Sequence, residues 1–149
     1  MPATRSTPTT EAVRLAFVEL MGAERRLRAR DQKCKPGELT HGQIRALFTI
    51  DVRGEATAGE LAKAADLSPA SVSTMLDHLE RDGIVQRRRS DEDRRVVVVT
   101  LTESGRALVA DKRERWRERA AAALDGVTDE QLEAAADVMR RMAGMLDEL

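Results

Sequence analysis

The segment from Ser68 to Leu101 constrains the fold most. Ser68 is a good helix cap, Pro69 suits a first helical position, and Gly83 is a good helix stop. Between them Val72, Leu76 and Leu79 repeat at helical spacing and supply a stripe to bury. Directly after the glycine, "IVQRRR" and "RRVVVVTL" read as two strands, with the polar "SDED" as a tight loop between them. Upstream, Thr57 with Glu60 three residues later is a capping box opening a short helix, "AGELAKAAD". Two short helices with a small junction, followed at once by a hairpin, fit a winged helix-turn-helix.

The rest of the chain is helical by pattern. Residues 11–30 place Val13, Ala16, Phe17, Leu20 and Leu27 at three-and-four spacing, which predicts an amphipathic helix. "DQKCKPGELT" follows as a loop, and Thr40 caps a helix over "HGQIRALFTIDVR" whose Ile44, Leu47, Phe48 and Val52 share a face. A helix starting at Thr102 runs through Trp116 to about Leu124, where Gly126 ends it. Thr128 with Gln131 is another capping box, and Leu132, Ala135, Ala136, Met139, Met142 and Leu146 form a long apolar stripe on the last helix. The expected class is mainly α with a small β-hairpin, a winged helix-turn-helix domain plus a helical module. The expected division is a disordered tail over 1–10, an N-terminal helix and loop over 11–39, the winged domain over 40–102, and C-terminal helices over 103–149.

Composition bounds the function. Of 149 residues 34% are charged, yet the net charge is −1, so any nucleic-acid reading must rest on where positive charge is placed. A single cysteine, Cys34, excludes an internal disulfide framework and fits a reducing cytoplasm. No apolar run approaches the roughly 20 residues of a bilayer span. The Thr/Pro-rich start lacks the apolar stretch of a secretory signal. His41, His78 and Cys34 form no spaced catalytic or metal-ligating constellation, and no phosphate-binding or dinucleotide fingerprint is present. An enzyme, a metal and a cofactor are therefore not expected.

The helix beginning at Ser68 and Pro69 presents Ala70, Ser71, Ser73, Thr74 and His78, small or polar side chains that let a helix sit deep in a major groove. Its start also offers N–H groups to a phosphate. An ordinary Ser/Thr-rich surface helix would carry the same residues. The hairpin adds Arg87, Arg88, Arg89, Arg94 and Arg95 within a few residues of one another. A narrow minor groove concentrates negative potential and attracts inserted arginine. Asp93 can hold one arginine in a bidentate pair and fix its direction. The competing reading is a solvated hairpin whose charges block edge pairing. That reading leaves the preceding helix-turn-helix unexplained.

"ELAKAADLSPASVSTMLDHLERDGIVQRRRSDEDRRVVVVTLTESGRAL" resembles the multiple-antibiotic-resistance regulator (MarR) family. The matching positions are Leu79-Glu80, Gly83-Ile84-Val85, Asp93-Arg94-Arg95, Leu101-Thr102 and Gly105, and "LTHGQIRAL" resembles the family's second helix. The resemblance implies a homodimeric transcriptional regulator, in most cases a repressor, binding a pseudo-palindromic double-stranded DNA operator. It implies that the helices of 11–39 and 103–149 form a helical dimerisation module, the first helix and the last two making the dimer here through Val13, Phe17, Leu132, Ala136, Met139 and Leu146. It makes Arg95 the minor-groove arginine and Asp93 its orienting partner. Where many members carry an arginine in the recognition helix this chain has Thr74, so base readout would lean on Ser71, Ser73 and Thr74. Family members often release DNA on binding a small aromatic or phenolic ligand, and the candidate lining here is Phe17, Met21, His41, Arg45, Phe48 and Trp116. Each of those taken singly reads more readily as an ordinary core or surface residue. Cys34, between Lys33 and Lys35, offers a thiol sensor as an alternative, because neighbouring positive charge favours the thiolate. A winged-helix module that binds protein instead of DNA is a further alternative, for which Asp77 and Glu80 on the recognition helix would speak.

Overall fold

A computed structural model describes residues 7–33, 35 and 38–148, so Cys34 lies outside the described residues. The chain divides into two compact units at Val109, and the division falls within a helix. The first unit begins with α1 (Pro8–Ala29) and a 3-10 turn, Arg30–Lys33. It continues with α2 (His41–Arg53), β1 (Ala56–Thr57), α3 (Ala58–Ala65), α4 (Pro69–Arg81), β2 (Val85–Arg89) and β3 (Val97–Leu101). Helix α5 (Glu103–Ala123) starts in this unit, and α6 (Asp129–Asp147) belongs to the second.

The fold class is as expected, mostly helical with a small sheet, and the expected caps form. Thr40, Thr57 and Thr128 each close a capping box with Gln43, Glu60 and Gln131. Ser68 accepts from the Ser71 N–H at the start of α4. At the other end of α4, Gly83 takes φ +70°, the Ile84 N–H donates to the Leu79 carbonyl and the Gly83 N–H to that of Glu80. This left-handed closure turns the chain straight into β2.

Three expectations about the bounds and number of elements need correction. The helix begins at Pro8, inside the segment read as a tail, because Thr7 caps it by accepting from the Thr10 N–H. The sheet has three strands in the order β1-β3-β2, all antiparallel; the two-residue β1 pairs Ala56 with Val99. The hairpin loop is longer than "SDED", because β3 starts at Val97 and leaves Arg94 and Arg95 in the turn.

The core of the first unit joins α2, β1, α3, α4, the hairpin and the start of α5. Leu47, Ile50, Leu61, Val72, Leu76, Leu79, Val85 and Val99 are fully enclosed. Each such aliphatic side chain contributes about 1.5–3 kcal/mol of transfer free energy. On α2 the buried residues are Ala46, Leu47 and Ile50, whereas Val52 is exposed, contrary to its expected place on the packed face. Neither α1 nor α6 buries a single residue. Their apolar positions stay open: Leu15, Val18, Leu20 and Leu27 on α1, and Val138, Met139, Met145 and Leu146 on α6.

Candidate nucleic-acid interface

Packing decides which side chains α4 offers outward. Val72, Met75, Leu76 and Leu79 are buried, so Ser68, Pro69, Ala70, Ser71, Ser73, Thr74, Asp77 and His78 are left exposed. Every residue of α4 selected from sequence therefore lies on its outer face. Part of their bonding capacity is used locally. The Ser68 and Ser71 hydroxyls share a 2.9 Å bond, and the Thr74 hydroxyl donates to the Ala70 carbonyl at 3.2 Å. α3 ends at Asp66 in the left-handed conformation (φ 56°), which sets the junction between the two helices. Arg28 of α1 donates to that Asp66 at 2.6 Å and also pairs with Glu24. These two carboxylates, Glu24 first, hold the Arg28 pKa above its ordinary value.

The wing's arginines fall into two groups. Arg95 lies in the turn, its side chain 92% exposed. Asp93 accepts from the Arg95 backbone N–H at 2.9 Å and from its guanidinium at 3.2 and 3.3 Å. The backbone bond, then the side-chain bond, hold the Asp93 carboxyl below its ordinary value of 3.8. Val96 donates to the Asp93 carbonyl at 2.9 Å and Ser90 to the Val96 carbonyl at 2.9 Å, so the turn is closed on itself. Arg94 is exposed in the same turn, and the Arg89 guanidinium donates to its carbonyl at 3.3 Å.

Arg87 and Arg88 at the base of the hairpin are placed differently. The Arg87 guanidinium reaches Glu80 at 2.9 Å and Asp77 at 2.8 Å, both on α4. Arg88 pairs with Glu55, just before β1, and with Asp91 at 3.0 Å. In sequence the five arginines look alike, because Glu80 and Asp77, seven and ten positions upstream, give no sign that they will meet Arg87.

Behind the hairpin, the Leu101-Thr102 and Gly105 motif has a mechanical role. The Thr102 N–H donates to the Ile84 carbonyl at 3.0 Å, its hydroxyl donates to the Gly83 carbonyl at 2.6 Å, and that hydroxyl accepts from the Gly105 N–H at 3.0 Å. A Cβ on Gly105 would lie 2.1 Å from the Ile84 carbonyl oxygen. The start of α5 is thereby fastened to the junction between α4 and β2.

The residues expected to line an effector pocket belong to both units. In the first unit Phe17, His41 and Arg45 are half-buried, Met21 is exposed, and Phe48 packs against the core. His41 Nε2 lies 4.0 Å from a Glu24 carboxylate oxygen. Trp116, in the second unit, is 67% exposed. A cavity of about 370 Å³ is lined by other residues, among them Ile50, Asp51, Gln86, Arg88, Thr100 and Arg106. Among the described residues, no helix is long and apolar enough to cross a membrane, and no group of three or more His, Cys, Asp or Glu could hold a metal ion.

Comparison with known proteins bears on the family and the fold. The MarR family model matches residues 39–97, from the approach to α2 through the first residue of β3. The chain is 34% identical over 118 residues to the uncharacterised HTH-type transcriptional regulator YcgE of Bacillus subtilis, covering 71% of this chain and 74% of that one. Its fold is similar to that of a MarR family transcriptional regulator from Silicibacter pomeroyi (TM-score 0.75, 21% identity, 99% and 100% of the two chains). It is also similar to Streptococcus pneumoniae FabT, whose structure is in complex with DNA (TM-score 0.66, 21% identity, 94% and 96% covered). That family consists of transcriptional regulators and not of enzymes. With its exposed small-residue helix and its arginine-bearing hairpin on one winged domain, the chain belongs to the MarR family of DNA-binding transcriptional regulators.

Proposed function

We propose that the chain acts in the cytoplasm as a homodimeric repressor of transcription on a pseudo-palindromic duplex operator. Helix α4 enters the major groove through Ser71, Ser73, Thr74 and His78, with Ser68, Pro69 and Ala70 at its phosphate-facing start. Arg95 enters the minor groove, with Arg94 next to it in the turn and Arg89, which donates to the Arg94 carbonyl, at the end of β2. The observation that carries this reading is the Asp93–Arg95 pair. An acid within an arginine-rich turn would weaken DNA binding if it faced phosphate alone, but here it grips one guanidinium through both oxygens and leaves that side chain exposed. The fold similarity to FabT, a protein seen with DNA, supports the same reading.

The dimer is supported by the open apolar positions on α1 and α6, since helices with such stripes are stable when a partner covers them. Twofold symmetry would then present two α4 helices about 34 Å apart, one turn of DNA. A small aromatic carboxylate is the proposed releasing effector, supported by half-buried Phe17 together with His41 and Arg45 in the same unit.

Fluorescence anisotropy tests the function. Duplexes are selected from a randomised library with the purified protein and compared with scrambled duplexes across a salt series. Selective binding that weakens steeply with salt is expected. Equal binding to both duplexes would contradict it.

A further inference from the structure

Asp77 and Glu80 pose a problem for a DNA-reading helix. They lie three residues apart on the exposed side of α4, where like charges repel each other and would repel phosphate. Their partner comes from the neighbouring element. The Arg87 guanidinium donates to Glu80 Oε2 at 2.9 Å, to Asp77 Oδ1 at 2.8 Å and to the Ser73 carbonyl at 3.4 Å. The Arg87 backbone N–H donates to the second oxygen of Glu80 at 3.1 Å. β2 is an edge strand, so Glu80 also covers an outward N–H of that edge.

We propose that Arg87 is a positioning residue, not a DNA contact: by binding Asp77 and Glu80 it locks the wing to the recognition helix, so that both elements reach their grooves from one fixed spacing. This rests on the DNA-binding reading above and deepens it. The side chain is 28% exposed, against 92% for Arg95, so its donors already face protein. On the opposite side Arg88 holds the hairpin to Glu55, so the base of the wing is tied in two directions while the Arg95 turn stays open. Two reading elements that meet DNA together bind more tightly when their spacing is set beforehand, because no ordering cost remains at the moment of binding. Each ion pair is exposed and contributes little to folding. Its effect is therefore expected in DNA binding more than in stability.

The test separates position from contact. Arg87→Lys, Arg87→Gln, Asp77→Asn, Glu80→Gln and the triple variant Arg87→Gln/Asp77→Asn/Glu80→Gln are compared with the wild-type chain on a duplex selected with the wild type and on a scrambled duplex. Thermal unfolding is measured alongside. A phosphate contact would tolerate lysine, and removing an acid beside DNA would tighten binding. A positioning role predicts the reverse. Arg87→Lys loses roughly tenfold in selective affinity, because an ammonium cannot span both acids. Asp77→Asn and Glu80→Gln each weaken binding although they remove negative charge. The triple variant is hardly worse than Arg87→Gln, the salt slope stays at the wild-type value, and melting temperatures stay close to wild type. Wild-type affinity in Arg87→Lys, with tighter binding by Asp77→Asn, overturns the proposal while leaving the regulator reading intact. Failure of the wild-type chain to prefer its selected duplex overturns the DNA-binding reading, and this role of Arg87 with it.

Discussion

Gly105 and Ile84 are in backbone contact: a Cβ on the glycine would sit 2.1 Å from the Ile84 carbonyl oxygen. That oxygen already accepts from the Thr102 N–H and hydroxyl, so it cannot withdraw without breaking the bonds that fasten the start of α5 to the start of the hairpin. Gly105→Ala must therefore push α5 away from the junction between α4 and β2. Overpacking of this kind costs about 1–3 kcal/mol or more. Chemical denaturation of the variant should show a loss in that range. A variant as stable as wild type would mean that the helix can shift freely.

Thr100 carries the opposite kind of strain. Its hydroxyl oxygen is buried and, among the described residues, makes no hydrogen bond. Leaving such a group without a partner costs about 1–3 kcal/mol. Thr100→Val keeps the shape and removes the oxygen, and it should raise the denaturation midpoint. A lower midpoint would show that the hydroxyl is satisfied in solution.

Asp93 should titrate below its ordinary value of 3.8, because the Arg95 backbone N–H and then its guanidinium favour the charged form. The sign follows: a depressed folded pKa means the pairing is fully present above about 3.8 and is lost as pH falls through the lowered value. Carboxyl chemical shifts measured by NMR would follow this directly. In Arg95→Ala the midpoint should return only part of the way, since the backbone bond remains. An unshifted Asp93 in the wild-type chain would mean that the turn is not closed in solution.

Charged substitutions at Leu132 and Met139 should yield monomers. Leu132 is half-buried and Met139 is 58% exposed on a helix with no fully buried residue. Light scattering distinguishes the outcomes, and a dimer that persists in the double variant would place the interface elsewhere.

Much of this molecule is written in short-range signals. The caps at Thr40, Thr57, Ser68 and Thr128 depend on residues three apart, and all four form as read. The Thr7-Pro8 start of α1 carried the same signal but sits in a Thr/Pro-rich stretch that resembles a tail. β1 has two residues, too few for any period to register, and it exists only because β3 offers it an edge. β3 was expected to begin at Arg94, but Asp93 captures the Arg95 N–H and bends the chain until Val97. The separate placements of the five arginines are the least legible feature. Arg87 and Arg95 each stand next to another arginine in sequence, and only the packing of β2 against α4 brings Asp77 and Glu80 to one of them. Val52 fits the helical spacing of α2 yet is exposed, because the core reaches that helix through Ala46, Leu47 and Ile50.

The most direct test of the central claim, that the wing reads DNA through Arg95, is the affinity of Arg95→Ala for a duplex selected with the wild-type chain. A loss of about 1–3 kcal/mol in a folded variant of wild-type oligomeric state is predicted, the scale of one specific contact. Unchanged affinity in such a variant would contradict the assignment and remove Arg95 from the DNA interface.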